Sequence, residues 1–193
     1  MGKEKFNNVY QFKITLKDTN PPVWRRIQAP ANYTFWDLHV AVQDAMGWSD
    51  YHLHEFTLKN PSTGLDSDIG IPDEEGDFED NMLAGWKLKI SEWFSLENNK
   101  ADYMYDFGDG WEHEIILEKI LPREKGVKYP RCIDGKRACP PEDCGSYPGY
   151  EDICSGKHEF QEEYKDFNPE YFDPEEVDFD DPRKRLKMRH DLL

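Results

Sequence analysis

YMYDFGDGWEHEIILEKI, residues 103–120, is the stretch from which the fold is read. Tyr103, Tyr105 and Phe107 alternate with Met104 and Asp106, the period of two that marks a strand. Gly108, Asp109 and Gly110 tolerate positive φ, which a tight hairpin bend requires. The return strand puts Trp111, His113, Ile115 and Leu117 on one face and Glu112, Glu114, Ile116 and Glu118 on the other. A β-hairpin is therefore predicted, with Asp106, Asp109 and His113 at or near its bend. Two carboxylates and an imidazole close together make this bend the leading candidate for a functional locus.

Upstream, residues 9–17 read as the cleanest strand. Tyr10, Phe12, Ile14 and Leu16 share one face, and Gln11, Lys13, Thr15 and Lys17 the other. Asn20-Pro21-Pro22 breaks it, and residues 23–28 return as a second strand ended by Ala29-Pro30. Arg25 and Arg26 then point to opposite faces, one to solvent and one with its stem packed on the sheet. Thr34 opens a helix as N-cap, with Asp37 completing an approximate capping box. Phe35, Leu38, Val42, Ala45 and Met46 follow helical spacing, and Gly47 closes the helix. His39 lies in this helix without a partner within one turn and reads as a surface or core-edge histidine. Residues 51–59, YHLHEFTLK, read as a third strand in which His52, His54, Phe56 and Leu58 face one way. Two histidines at i and i+2 could point at one metal ion, or hydrogen-bond beside a buried Phe.

The remaining segments are less regular. Residues 60–80 read as a long acidic insertion, loop with a short hairpin. Residues 81–96 have a mixed period and suit a short helix or strand. Residues 121–156 are rich in Pro, Gly and Cys and are predicted to be largely irregular. Residues 159–167 suit a short helix ended by Pro169, and residues 174–193 form a tail that docks or frays. The order β-β-α-β followed by a hairpin predicts an α+β fold: one main helix on a mixed β-sheet, with a β-grasp-like arrangement suggested. The division is a single α+β domain over 1–156 and a helical, acidic extension with a basic tail over 157–193.

Composition narrows the function classes. The formal net charge of -16 over 193 residues repels phosphate backbones, which argues against non-specific nucleic-acid binding. The basic tail Arg183, Lys184, Arg185, Lys187 and Arg189 is the one counter-sign. The acidic runs 66–80 and 159–181 read as solvated loop, or as a docking surface for a basic partner. Charged residues make up 33% of the chain and mean hydropathy is -0.90, which excludes a membrane protein. MGKEKFNNVY has no apolar signal region, and Phe6 stands where a myristoylation motif needs Ser or Thr. A cytoplasmic location is expected. Cys132, Cys139, Cys144 and Cys154 are then reduced thiols, spaced C-x6-C-x4-C-x9-C without the C-x2-C knuckle of common zinc sites. Their closeness in sequence leaves a metal-binding cysteine cluster as a candidate.

Four blocks carry a resemblance: NPPVWRRIQAP, AMGWSDYHLHEF, YDFGDGWEHEIILEKIL and YPRCIDGKRACPPEDCGSYPGYEDI. In this order they resemble the plasmid pRiA ORF-3-like family, over most of residues 8–155. The resemblance implies a small soluble α+β protein of a type often carried by mobile elements and sometimes fused to other domains, with no established activity. A resolvase label attached to some relatives is not supported here, because no nucleophilic Ser among arginines accompanies a basic DNA-binding domain. The family's motif residues fall on His52 and His54, on Asp106, Gly108, Asp109, Trp111 and His113, and on Cys139, Pro140, Pro141, Glu142, Asp143 and Gly145. Ser146-Tyr147 stands where the family usually has a second glycine, which puts any close backbone approach to a ligand there in doubt.

Two readings follow. The first is a binding module whose polar pocket is made of His52, His54, Asp106, Asp109, Trp111, His113, Glu142 and Asp143, for an unidentified protein or small ligand. The second is a metal-dependent, hydrolase-like enzyme with a divalent cofactor. There His52, His54 and His113 are ligands, Asp106 a fourth ligand or orienter, and Asp109 or Glu142 a general base. A nucleic-acid partner ranks third. The sequence favours the first reading, since it has neither a nucleophile–base motif nor a phosphate loop.

Overall fold

Tyr10, Phe12, Ile14 and Leu16 of strand β1 (Asn8–Leu16) are at most 6% exposed, so the alternating face read from sequence is the core face. The structure, a computed structural model, describes residues 7–73 and 81–190. β1 pairs antiparallel with β2 (Val23–Pro30), the two joined by a turn in which Thr19 Oγ1 accepts from Val23 N at 3.0 Å. Helix α1 (Phe35–Met46) follows. Thr34 Oγ1 accepts from Asp37 N at 3.1 Å, and Asp37 Oδ2 accepts from Thr34 N at 2.8 Å, so the capping box is complete. Gly47, at φ 86°, provides the left-handed residue that ends the helix. Thr34→Ala should cost about 1 kcal/mol, read as a lowered urea midpoint with unchanged slope.

The remaining strands are β3 (His54–Lys59), β4 (Asp66–Gly70), β5 (Leu83–Ala84), β6 (Lys100–Tyr105), β7 (Trp111–Pro122) and β8 (Arg131–Lys136). They complete an eight-stranded sheet in the order β5-β4-β3-β6-β7-β1-β2-β8. Among the described residues the sheet is mixed through a single parallel pair, β4 with β5. Among the described residues it is joined by four α-helices: α1, α2 (Ile90–Trp93), α3 (Ser146–Ser155) and α4 (Pro182–His190). The class is α+β. One face packs on α1 around Phe12, Phe35, Phe56, Tyr103 and Ile115. The other face is polar, with Lys17 on Asp102 at 2.8 Å and Arg26 on Glu118 at 2.7 Å. The more exposed Lys17 pair adds little stability, whereas Arg26 holds Glu118 by two hydrogen bonds in a part-buried setting.

Several expectations are corrected. The third strand begins at His54, not residue 51, because Asp50 takes φ 60° and residues 50–53 leave the sheet direction. Residues 121–156 are not largely irregular: β7 runs on to Pro122, β8 pairs with β2, and α3 fills 146–155. Pro148 stands in the first turn of α3, where proline is tolerated. Gly149 allows that helix to lie on Cys144, since a Cβ there would fall 1.8 Å from the Cys144 carbonyl oxygen. Arg25 is not a stem on the sheet but a fully buried guanidinium at 1% exposure. His39 is in the core at 0% exposure. Of the acidic insertion, residues 66–70 form β4, while 74–80 lie outside the described residues, as do the N-terminal readings at 1–6.

The C-terminal segment docks. Phe172 lies 3.7 Å from the Arg25 guanidinium, and Trp36 Nε1 donates to Pro182 O at 2.8 Å. Arg185 meets Asp44 of α1 at 2.7 Å, and Arg189 meets Asp50, just beyond that helix, at 3.4 Å. No helix among the described residues is long and apolar enough to cross a membrane.

Candidate functional site

Residues 48–53 carry the site because almost every residue of the segment is tied down. Trp48 Nε1 donates to Pro140 O at 2.9 Å, and its ring stacks on Tyr105. Ser49 N donates to Glu142 Oε1 at 2.7 Å. Asp50 accepts from His39 Nε2 at 2.9 Å. Tyr51 N donates to the Tyr105 hydroxyl at 3.1 Å, which itself donates to Glu142 at 3.2 Å. Leu53 O accepts from Asp106 N at 3.0 Å. The 140–146 loop and the hairpin bend are thereby fixed to the same segment.

His52 Nε2 lies 2.9 Å from Asp143 Oδ1 and 3.6 Å from Asp106 Oδ2. The three donor atoms lie within 4.8 Å of one another, and among the described residues no other set of three His, Cys, Asp or Glu does so. Asp106 sits at φ 56°, and its Oδ1 accepts from Gly108 N at 2.9 Å, a turn that fixes the carboxylate's direction. Asp143 also takes a left-handed φ, 52°. Tyr51 and Leu53, next to His52 in the chain, and Phe107, next to Asp106, are 73%, 47% and 53% exposed. Isolated exposed apolar residues are ordinary, but three flanking one polar notch fit a contact surface.

The other sequence-derived candidates are placed differently. Glu142 holds Ser49 and Tyr105 as above. Burial, with the Glu142 charge, raises the Tyr105 phenol pKa. Asp109 accepts Ser146 Oγ on its backbone oxygen at 2.6 Å, while its carboxylate Oδ2 is buried without a partner. Trp111 fills the core against Tyr147. His54 and His113 do not join His52. His54 is stacked on His39 with ring centres 3.4 Å apart, and His113 lies under Trp48 and Tyr103. The ligand trio His52, His54 and His113 is therefore not the set the structure forms. The physical reason is the break in the strand before His54, which sends His52 outward and His54 into the core.

Inside the core, Asp50, His39 and Tyr103 form a chain, with His39 Nδ1 and the Tyr103 hydroxyl 2.9 Å apart and Gln43 Nε2 donating to that hydroxyl at 3.0 Å. It has the connectivity of a relay, yet Tyr103 is 1% exposed and offers a substrate no access. Burial lowers the His39 pKa against the Asp50 hydrogen bond, lowers that of His54 further, and pushes that of His113 down to about 3. Nδ1 of His54 and Nε2 of His113 have no hydrogen-bond partner.

No three of the four cysteines bring their sulfurs within 4.8 Å of one another. All are free, Cys139 and Cys144 are buried, and burial raises both thiols, Cys144 to about 12. Sequence reasoning missed the pairing of His52 with Asp143. Both were named as candidates, but a contact between loops remote in sequence leaves no periodic signal.

The family described as plasmid pRiA4b ORF-3-like protein matches residues 8–181, further into the C-terminal segment than the four sequence blocks reach. An uncharacterized protein, y4hQ, of Sinorhizobium fredii is 35% identical over 148 residues, covering 76% of this chain and 72% of its own. A crystal structure of a protein of unknown function, MM3350 from Methanosarcina mazei Go1, is similar at 48% identity and TM-score 0.82. That match covers 90% of this chain and 99% of the other.

Proposed function

This chain belongs to the plasmid pRiA4b ORF-3-like protein family, and from that premise we propose that it is a binding module. Its binding site is the notch between residues 49–53, the 106–110 bend and the 140–146 loop. The observation that carries this is the convergence of His52, Asp106 and Asp143 from three separate segments onto one point. Asp106 is held by Gly108 N and His52 by Asp143 before any ligand arrives, which lowers the ordering cost of binding. The exposed Tyr51, Leu53 and Phe107 supply apolar contact around the polar centre. The relatives' names assign no activity to be carried over.

The division into a domain over 1–156 and an extension over 157–193 is part of this proposal. So is the β-grasp-like reading, supported by a hairpin, a helix laid on the sheet and a return strand in that order. A nucleic-acid partner fits less well. The net charge is -16, and two of the five cations in the basic tail, Arg185 and Arg189, already face Asp44 and Asp50.

A groove of about 760 Å³ lies elsewhere, between Tyr33 and the 174–183 segment. It is lined by charges of both signs and brings no such ligand set together, so the site at His52, Asp106 and Asp143 is preferred. Titrating isotope-labelled protein with a panel of peptides and small molecules should shift the amides of 49–53, 106–110 and 140–146. Phe107→Ser should weaken any such ligand about tenfold. Ligands that shift only the amides around Tyr33 and 174–183 would move the function to the groove.

A further inference from the structure

We propose that His52 Nε2, Asp106 Oδ2 and Asp143 Oδ1 bind one divalent transition-metal ion of the zinc class, an inference that rests on the notch being the binding site. Zinc bonds to nitrogen and oxygen of about 2.0–2.2 Å set a tetrahedral ligand-to-ligand edge of roughly 3.3–3.5 Å. The two measured separations from His52 Nε2, 2.9 Å and 3.6 Å, bracket that edge. The third separation, between the two carboxylates, is within 4.8 Å, so coordination requires the carboxylates to close on each other.

Asp106 adds an independent reason. Its side chain is 10% exposed, and its Oδ1 is engaged by Gly108 N. Its Oδ2 faces His52 Nε2 at 3.6 Å, in a side chain nine-tenths buried. A carboxylate in so buried a side chain favours a cation beside it. His52 cannot fully satisfy it: a single Nε2–H directed at Asp143 at 2.9 Å leaves Asp106 Oδ2 beyond hydrogen-bond reach. A metal replacing that proton serves both carboxylates at once. One imidazole with two carboxylates suits zinc or cobalt better than magnesium, which prefers an all-oxygen shell. Three protein ligands at a site open to solvent leave a fourth position for water or for a donor atom of the partner.

The test uses the full chain, stripped with a chelator and titrated with Co2+ as a spectroscopic probe, then with Zn2+ in competition. One equivalent of Co2+ per chain is expected, with visible absorption that Zn2+ removes. Asp106→Asn keeps the Oδ1 turn and replaces only the free oxygen, and it should weaken Co2+ at least tenfold. Asp143→Asn and His52→Gln, at more exposed positions, should do the same with unchanged melting temperature. They carry the test should Asp106→Asn fail to fold. Absence of stoichiometric Co2+ or Zn2+ binding below about 1 mM, or equal binding by all three variants, overturns the metal assignment. The notch as a ligand site would still be judged separately, by the amide shifts and by Phe107→Ser.

Discussion

Lowering the pH from 7 to 4.5 should unfold this protein, or bring it close to unfolding. The cause is three imidazoles held neutral in the core. His113, at 0% exposure, has its pKa pushed down to about 3, and burial lowers those of His39 and His54 as well. An unfolded histidine takes up a proton near pH 6.5, whereas the folded His113 does not until about pH 3. Between those limits the unfolded chain binds more protons, so stability falls as pH falls. Each such histidine contributes about 1.4 kcal/mol per pH unit, so His113 alone costs roughly 3 kcal/mol by pH 4.5. With His39 and His54 adding in the same direction, the loss rivals the 5–15 kcal/mol of stability typical of a domain, taken as roughly that here. Asp37 and Asp44 act oppositely. Burial raises both carboxyls, so the folded state takes up their protons first as acid is added. Urea midpoints at half-unit intervals from pH 7.5 to 4.5 measure the slope. A flat profile from pH 6.5 to 5 would refute the assignment of neutral buried imidazoles.

Arg25→Ala should be the most damaging single substitution at a charged residue. The guanidinium is buried among three carbonyls: Ala45 O in the last turn of α1 at 2.8 Å, Trp24 O at 2.9 Å and Lys136 O of β8 at 3.1 Å. The Phe172 ring covers it. It thus joins the negative end of α1, the β2–β8 edge and the C-terminal segment through one side chain. Truncation leaves three carbonyls without that donor and opens a cavity, for a cost of about 3–5 kcal/mol. Arg25→Met restores the stem without the charge and should recover part of the loss, leaving roughly 2–3 kcal/mol. No carboxylate pairs with Arg25 among the described residues, and burial disfavours its charge. A methionine variant as stable as the parent would therefore mean that desolvation cancels the hydrogen bonds, and the claim would fail.

How much of this was legible beforehand differs by element. β1, α1 and the β6–β7 hairpin announced themselves, because a strict period, a capping residue or a glycine bend is local information. β8 and α3 did not. Cys132, Gly135, Pro148 and Gly149 look like loop residues in isolation, and only pairing with β2 or the close approach to Cys144 makes them strand and helix. At the site, the Asp106 bend was visible as a turn. The parting of His52 from His54 was not, since alternation assumes the strand continues through residues 50–53. Arg25 and His39 look like surface residues by type. Their burial depends on partners from the C-terminal segment and from Asp50, which no local pattern reveals.

The position of β1 between β2 and β7, with Asn8 opposite Pro122, has a consequence for synthesis. At a ribosomal rate of roughly 5–20 residues per second, about a hundred residues must follow β1 over several seconds before its second neighbour exists. Until then Tyr10, Phe12, Ile14 and Leu16 belong at best to a two-stranded hairpin, a unit only marginally stable in water. The nascent chain therefore carries an open strand edge with an apolar face for most of its elongation, and it is in that interval that chaperones have most to shield.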